Sequence, residues 1–298
     1  MNKKTKIIII ITLLSILIIG LISMMVFVIS KGGFNFISLG ISSKVSTNLV
    51  YDEVYETNFS KININSDISD IEIKQSNDEK IEVLIYSNEK DNNVNVNDSE
   101  NLNVSLKEKG GFNLFKWNRL NSRIEIYIPI NYDKNIEIIS SYGDIRIDRF
   151  TNSNISIESD CGDIDIDEVD TVKVKNSYGD TFINKANKVD IASDCGDVEV
   201  GSVGYISLDN SYGDIEIRNI NNYMNIIADC GDIEIDNVLL TKNSKIKSDF
   251  GDVSIENIKD VYIDAKVDLG DVSIKNNYRR SDITLNIESD LSDIEVNE

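Results

Sequence analysis

Past residue 60 the chain is written in short alternating runs. Apolar, mostly β-branched residues take every second position, and Asp, Glu, Lys, Arg or Asn fill the gaps. One set of runs comprises Ile145 and Ile147, Ile164 and Ile166, Val198 and Val200, Ile215 and Ile217, Ile233 and Ile235, Val253 and Ile255, and Val272 and Ile274. A second set lies about nine residues further on in each unit: Ile155 and Ile157, Val172 and Val174, Val189 and Ile191, Ile206 and Leu208, Val261 and Ile263, Ile283 and Leu285. A period of two buries one face of a strand and wets the other. Helical periodicity is missing after residue 31. Strands of three residues cannot bury a core alone, but stacked on like neighbours they can. The pattern predicts an all-β protein, a β-solenoid (β-helix).

The repeat that sets the stack is Gly-Asp followed by the first run. It recurs at Gly143, Gly162, Gly179, Gly196, Gly213, Gly231, Gly251 and Gly270, spaced 19, 17, 17, 17, 18, 20 and 19 residues apart. A glycine before each strand predicts a corner that needs φ > 0 or close backbone approach, and the Asp is expected to cap a turn amide. Ser69 and Ser292 replace the glycine near the two ends, where terminal repeats are expected to be atypical.

The residue before each glycine alternates: Tyr142, Cys161, Tyr178, Cys195, Tyr212, Cys230, then Phe250 and Leu269. One unit per coil would stack Tyr on Cys. Two units per coil would stack Tyr on Tyr and Cys on Cys. About eighteen residues suffice for two short strands and two turns, which favours one unit per coil. With coils ~4.8 Å apart, cysteines two coils apart are ~9.6 Å from each other, beyond disulfide reach. They are expected to be small buried hydrophobes.

The ends of the chain differ from its middle. Residues 7–30 carry no charge and follow Lys3, Lys4 and Lys6. At about 1.5 Å per residue the stretch is long enough for a hydrocarbon core of roughly 30 Å. It predicts a single-pass anchor in the cell membrane, with a cytoplasmic N-terminus and the rest extracellular. The expected organisation is cytoplasmic lysines and anchor over 1–31, a juxtamembrane linker over 32–58, an N-terminal β cap over 59–139 and solenoid repeats over 140–298. The cap includes the loop 107–121, with Phe115 and the single Trp, Trp117. The C-terminal end has no such cap; Asp293, Glu295 and Glu298 are expected to discourage edge pairing there, the alternative being that this end pairs with a partner.

Net charge is −21, and all 51 acidic residues follow the apolar stretch. This speaks against binding nucleic acid or anionic lipid through a basic face. It favours cationic partners, a cationic peptide or protein among them. Regular acidic columns also raise a calcium reading, with Asp160, Asp163, Asp194, Asp197, Asp229 and Asp232 as candidate ligands. The plainer reading is that these are structural turns. Enzymatic chemistry is poorly provided for: there is no His to act as general base near neutral pH, and the three Cys have no His partner. No phosphate-cradling Gly loop or CxxC pair is present, so no cofactor is expected. A carboxylate-pair enzyme acting on glycans is the remote alternative.

The "GDI-x-I" repeats over 143–274, the "IYIP" strand at 126–129 before them and the opening "FSKINI" at 59–64 together resemble a bacterial family, the putative adhesins with β-strand repeats. The likeness covers roughly residues 50–298. It implies a surface β-solenoid with an adhesive or envelope-stress role, and it carries over no catalytic residue.

Overall fold

The computed structural model describes residues 47–88, 93–107, 122–275 and 281–298. The apolar segment 7–30, and Phe115 and Trp117 of the cap loop, lie outside them. Among the described residues every regular element is a strand, and no helix is long and apolar enough to cross a membrane.

Nine strands open the fold: β1 (Asn48–Tyr55), β2 (Lys61–Ser66), β3 (Asp70–Ser76), β4 (Ile81–Ser87), β5 (Asn93–Asp98), β6 (Leu102–Lys107), β7 (Ser122–Pro129), β8 (Asn135–Tyr142) and β9 (Ile145–Ile147). The middle holds β10 (Phe150–Cys161), β11 (Ile164–Tyr178), β12 (Thr181–Cys195), β13 (Val198–Tyr212), β14 (Ile215–Cys230) and β15 (Ile233–Val238). The last six are β16 (Ser244–Phe250), β17 (Val253–Ile255), β18 (Tyr262–Leu269), β19 (Val272–Ile274), β20 (Thr284–Leu291) and β21 (Ile294–Val296).

The middle strands pair in parallel, each one repeat above the last. Tyr178 lies beside Cys161 and Cys195, and Tyr212 beside Cys195 and Cys230. One repeat is therefore one coil. The two alternating runs of each repeat form two buried columns, such as Ile164–Thr181–Val198–Ile215 and Val172–Val189–Ile206–Met224. A third buried column fills the bend between them: Phe150, Val169, Ala186, Val203, Ile220, Val238 and Ile258. It was not legible as a run because each coil contributes one residue to it. Burial of each Ile or Val is worth roughly 1.5–3 kcal/mol, and the stack repeats it coil after coil.

Both ends depart from chain order. At the start, β2 lies between β6 and β8, and β3 between β7 and β9. The coil built from β6 and β7 is thus outermost although it comes later in the chain. At the other end, β20 lies between β16 and β18, and β21 between β17 and β19. The last residues of the chain are inserted beneath the preceding coil. Both Ser-cornered units, those of Ser69 and Ser292, occupy these inserted positions, not the ends. Neither serine takes positive φ, so a Cβ is tolerated at these two corners.

These placements revise the sequence reading in three respects. Residues 61–76 are a full coil of the solenoid and not a separate cap. Part of the expected linker, Asn48–Tyr55, is β1, paired antiparallel with β4, which in turn pairs antiparallel with β7. Asp293 and Glu295 belong to an inner coil, so they do not guard the edge; the exposed coil edge at this end is β18 and β19. At the opening end Glu125, almost fully buried, is held by Arg123 at 2.7 Å and Lys74 at 3.4 Å.

Candidate functional site

The site that the fold builds is the Gly-Asp corner, repeated along one edge of the stack. All eight corner glycines have φ between +128° and +145°. A Cβ on Gly196 would sit 2.1 Å from the carbonyl oxygen of Gly179, one coil below. The corner excludes side chains both by its backbone conformation and by this close approach.

The turn leaves the amide of each Asp without a partner in its own coil. The Asp one coil below supplies it. Asp144 donates its N–H to Oδ1 of Asp70, Asp163 to Asp144, Asp180 to Asp163, Asp197 to Asp180 and Asp214 to Asp197. The chain of bonds continues through Asp232, Asp252, Asp293 and Asp271, all at 2.8–3.1 Å. The carboxylates do not cap their own turns, as the sequence suggested; they join coil to coil. Asp70 and Asp293 belong to the ladder because their Ser-cornered units keep the Asp in place. At ~4.8 Å, neighbouring carboxylates repel by ~0.9 kcal/mol in water. Exposure keeps this repulsion small, and each amide donated to a carboxylate offsets it. At Asp70 crowding by the surrounding chain desolvates the carboxyl and raises its pKa, against the lowering effect of the Asp144 amide.

Inside the corner a second device repeats every other coil. Asn176 donates its Nδ2 to the carbonyls of Gly179 at 2.8 Å and Gly162 at 3.4 Å. Asn210 does the same for Gly213 and Gly196. One Asn serves two coils, so the coils between carry the smaller Ser159 and Ser193 at this buried position. The alternation of Asn-Ser-Tyr with Ser-Asp-Cys has here a physical basis with a two-coil period.

Outside the corner the third member of each triplet forms a row on the surface. Tyr178 and Tyr212 are each 60% exposed, and Phe250, Leu291 and Leu269 continue the row, also exposed. Cys161 and Cys195 lie between tyrosines and Cys230 between Tyr212 and Phe250, all three partly exposed and outside any disulfide. The expectation of buried cysteines is thus corrected: the position faces outward at the corner. Burial and the neighbouring Asp160 raise the Cys161 thiol pKa.

The calcium candidates fall on two different rows. Asp163, Asp197 and Asp232 belong to the ladder, where Oδ1 already accepts an amide. Asp160, Asp194 and Asp229 lie on the outer row, two coils apart, with Ser177 and Ser211 between them. The outer row becomes continuous only at Asp229, Asp249, Asp290 and Asp268. Among the described residues no group of three His, Cys, Asp or Glu side chains is arranged to hold a metal ion.

Two further surfaces emerged only in three dimensions. Beside the ladder, Asp197, Asp214, Asp232, Glu199, Glu216 and Glu234 line a shallow acidic hollow of about 290 Å³. On another flank a groove of about 610 Å³ is lined by Lys188, Tyr205, Tyr223 and Lys242, among others. Lys242 Nζ stands 4.9 Å from the Tyr205 ring centre. The signal for this groove was two tyrosines one repeat apart, visible only once the register is known.

A parallel β-solenoid with glycine corners and an inter-coil Asp ladder defines the class of this protein. The chain belongs to the Toastrack DUF4097 family, whose model matches residues 59–205 and 185–297. A putative lipid binding protein of Parabacteroides distasonis is similar at 13% identity and a TM-score of 0.50, over 83% of this chain and 97% of that one. A putative adhesin of Bacteroides fragilis is similar at 20% identity and a TM-score of 0.43, over 84% and 97%. At these identities the first likeness is one of fold alone. No curated protein matches the chain.

Proposed function

We propose that this protein is a non-catalytic, adhesin-like binding module, held at the cell membrane by residues 7–30 with its solenoid outside the cell. Its partner is an extended cationic peptide or protein segment lying along the corner edge. The observation that carries this reading is the row at that edge. Tyr178 and Tyr212 stand ~9.6 Å apart, two coils from each other, with the exposed Asp194 on the coil between them. Aromatic faces attract Lys and Arg, and a carboxylate between them completes a repeating site for positive charge. A regular row of this kind suits a polymer better than a small substrate.

The test is titration of the full-length protein in neutral detergent with a fluorescent poly-lysine peptide, at low and at high ionic strength. Binding is expected to weaken steeply with salt, and to weaken further when Tyr178 and Tyr212 are both changed to Ser. Binding that ignores salt and both tyrosines would overturn the assignment. Protease digestion of intact cells tests the orientation: cleavage of the solenoid from outside is expected, and its full protection would refute an external location.

A further inference from the structure

The two ends of the stack are finished differently. In the outermost coil at the start, Ile124 and Ile126 are fully buried, because β4 lies against β7. In the outermost coil at the other end, Val272 and Ile274 occupy the corresponding core positions but are 41% and 38% exposed. One coil further in, Ile294 and Val296 are buried. Among the described residues β18 pairs only with β20, and β19 only with β21. Among the described residues the outer side of this coil is an unpaired parallel-sheet edge: on β19 the core side chains Val272 and Ile274 show, while on β18 Ile263 is buried and Ala265 and Val267 are half-buried.

Such an edge is a template for another strand. The sequence of β18 says which strand. Around Ala265 it reads Ile263-Asp264-Ala265-Lys266-Val267. Laid antiparallel on a second copy of itself and centred on Ala265, it puts Asp264 opposite Lys266 and Lys266 opposite Asp264. Ile263 then meets Val267 on the inward side, where both side chains already point. The charged pair points outward. A two-fold axis requires this reciprocity, residue i on j and j on i. The short β19 has the same property, since an antiparallel pairing centred on Ser273 sets Val272 opposite Ile274.

We infer that two copies of this chain associate end to end through β18, antiparallel and centred on Ala265, joining their solenoids into one continuous sheet. The dimer covers the exposed core positions of both end coils and leaves the corner rows free for a partner. It does not depend on the binding role proposed above.

The experiment is position-specific cross-linking of the full-length protein, with Cys161, Cys195 and Cys230 changed to Ser. In an antiparallel pair, directly opposed residues have Cα atoms roughly 4.5–5.5 Å apart, within disulfide range. Ala265→Cys is expected to give a disulfide dimer rapidly under mild oxidation. Lys185→Cys, exposed on the middle of the stack, is expected to give far less. Mixing Ile263→Cys with Val267→Cys protein is expected to give the mixed dimer in preference to either homodimer. Lys266→Asp turns both attractive cross-strand pairs repulsive and is expected to weaken dimerisation roughly tenfold or more. Adding Asp264→Lys to it restores complementarity and is expected to restore the dimer. Ala265→Cys cross-linking no faster than Lys185→Cys would overturn the inference. So would preferential homodimers of the Ile263→Cys protein, or a double charge swap that fails to rescue the single one while remaining folded by circular dichroism.

Discussion

The backbone N–H of Asp214 donates to Oδ1 of Asp197, one coil below, at 2.8 Å. The same bond is repeated up the whole corner edge, so a residue that looks like a turn cap in sequence is a tie between coils. Asp197→Ala removes the acceptor and leaves the Asp214 amide to water. It is expected to destabilise the protein by about 1 kcal/mol in chemical denaturation. Asp197→Asn keeps an acceptor oxygen and removes one repelling charge, and is expected to be neutral or slightly stabilising. A larger loss for Asn than for Ala would contradict the ladder.

Gly196→Ala asks an L-residue to adopt φ +142° with its Cβ 2.1 Å from a backbone carbonyl. The neighbouring coil cannot yield without shifting the next. A loss of about 3 kcal/mol or more is expected, from backbone strain and overpacking together. Denaturation midpoints will report it, and a loss below about 1 kcal/mol would mean that the corner rearranges easily.

Asn210 is fully buried and holds two glycine carbonyls of adjacent coils. Asn210→Ser reproduces the residue of the coil below, Ser193, but shortens the reach. It is expected to cost roughly 1–3 kcal/mol, since two buried carbonyls lose a donor. Amide hydrogen exchange is expected to speed up in both adjoining corners, not in one.

The raised pKa of Asp70 gives a sign for pH dependence. Its protonated form is the better tolerated one in the fold. The contribution is fully present below the unfolded value, near ~3.9, and is lost as pH rises through the higher folded value. Relative to wild type, Asp70→Asn is therefore expected to be more favourable at pH 7 than at pH 3. Paired denaturation curves at the two pH values measure this, and a difference that grows on acidification would reverse the assignment.

The three cysteines are partly exposed, and successive ones are two coils, ~9.6 Å, apart. Mild oxidation of the monomer is expected to form no intramolecular disulfide, while iodoacetamide modifies the folded protein. Cys161, with its raised thiol pKa, is expected to gain reactivity only as pH is taken higher. Mass mapping of the labelled sites checks both statements.

Sequence alone was enough for the class of fold. Period-two β-branched runs and glycines at fixed spacing leave little besides a stack of short parallel strands, because each such strand needs an identical neighbour to bury its one apolar face. It also located the corner, since only glycine suits that backbone. The tertiary structure decided what lay between coils. Whether the Asp carboxylate turns back on its own coil or reaches the next depends on where the neighbouring amide stands, and no local pattern records that. The alternation of Tyr with Cys is plain in the sequence, but its companion, Asn176 and Asn210 each serving two coils, becomes readable only with the register. The exchange of coil order at both ends was hidden for a similar reason. Units of nearly equal length and pattern fit several places in a stack, and only long-range packing selects the place that Ser69 and Ser292 occupy.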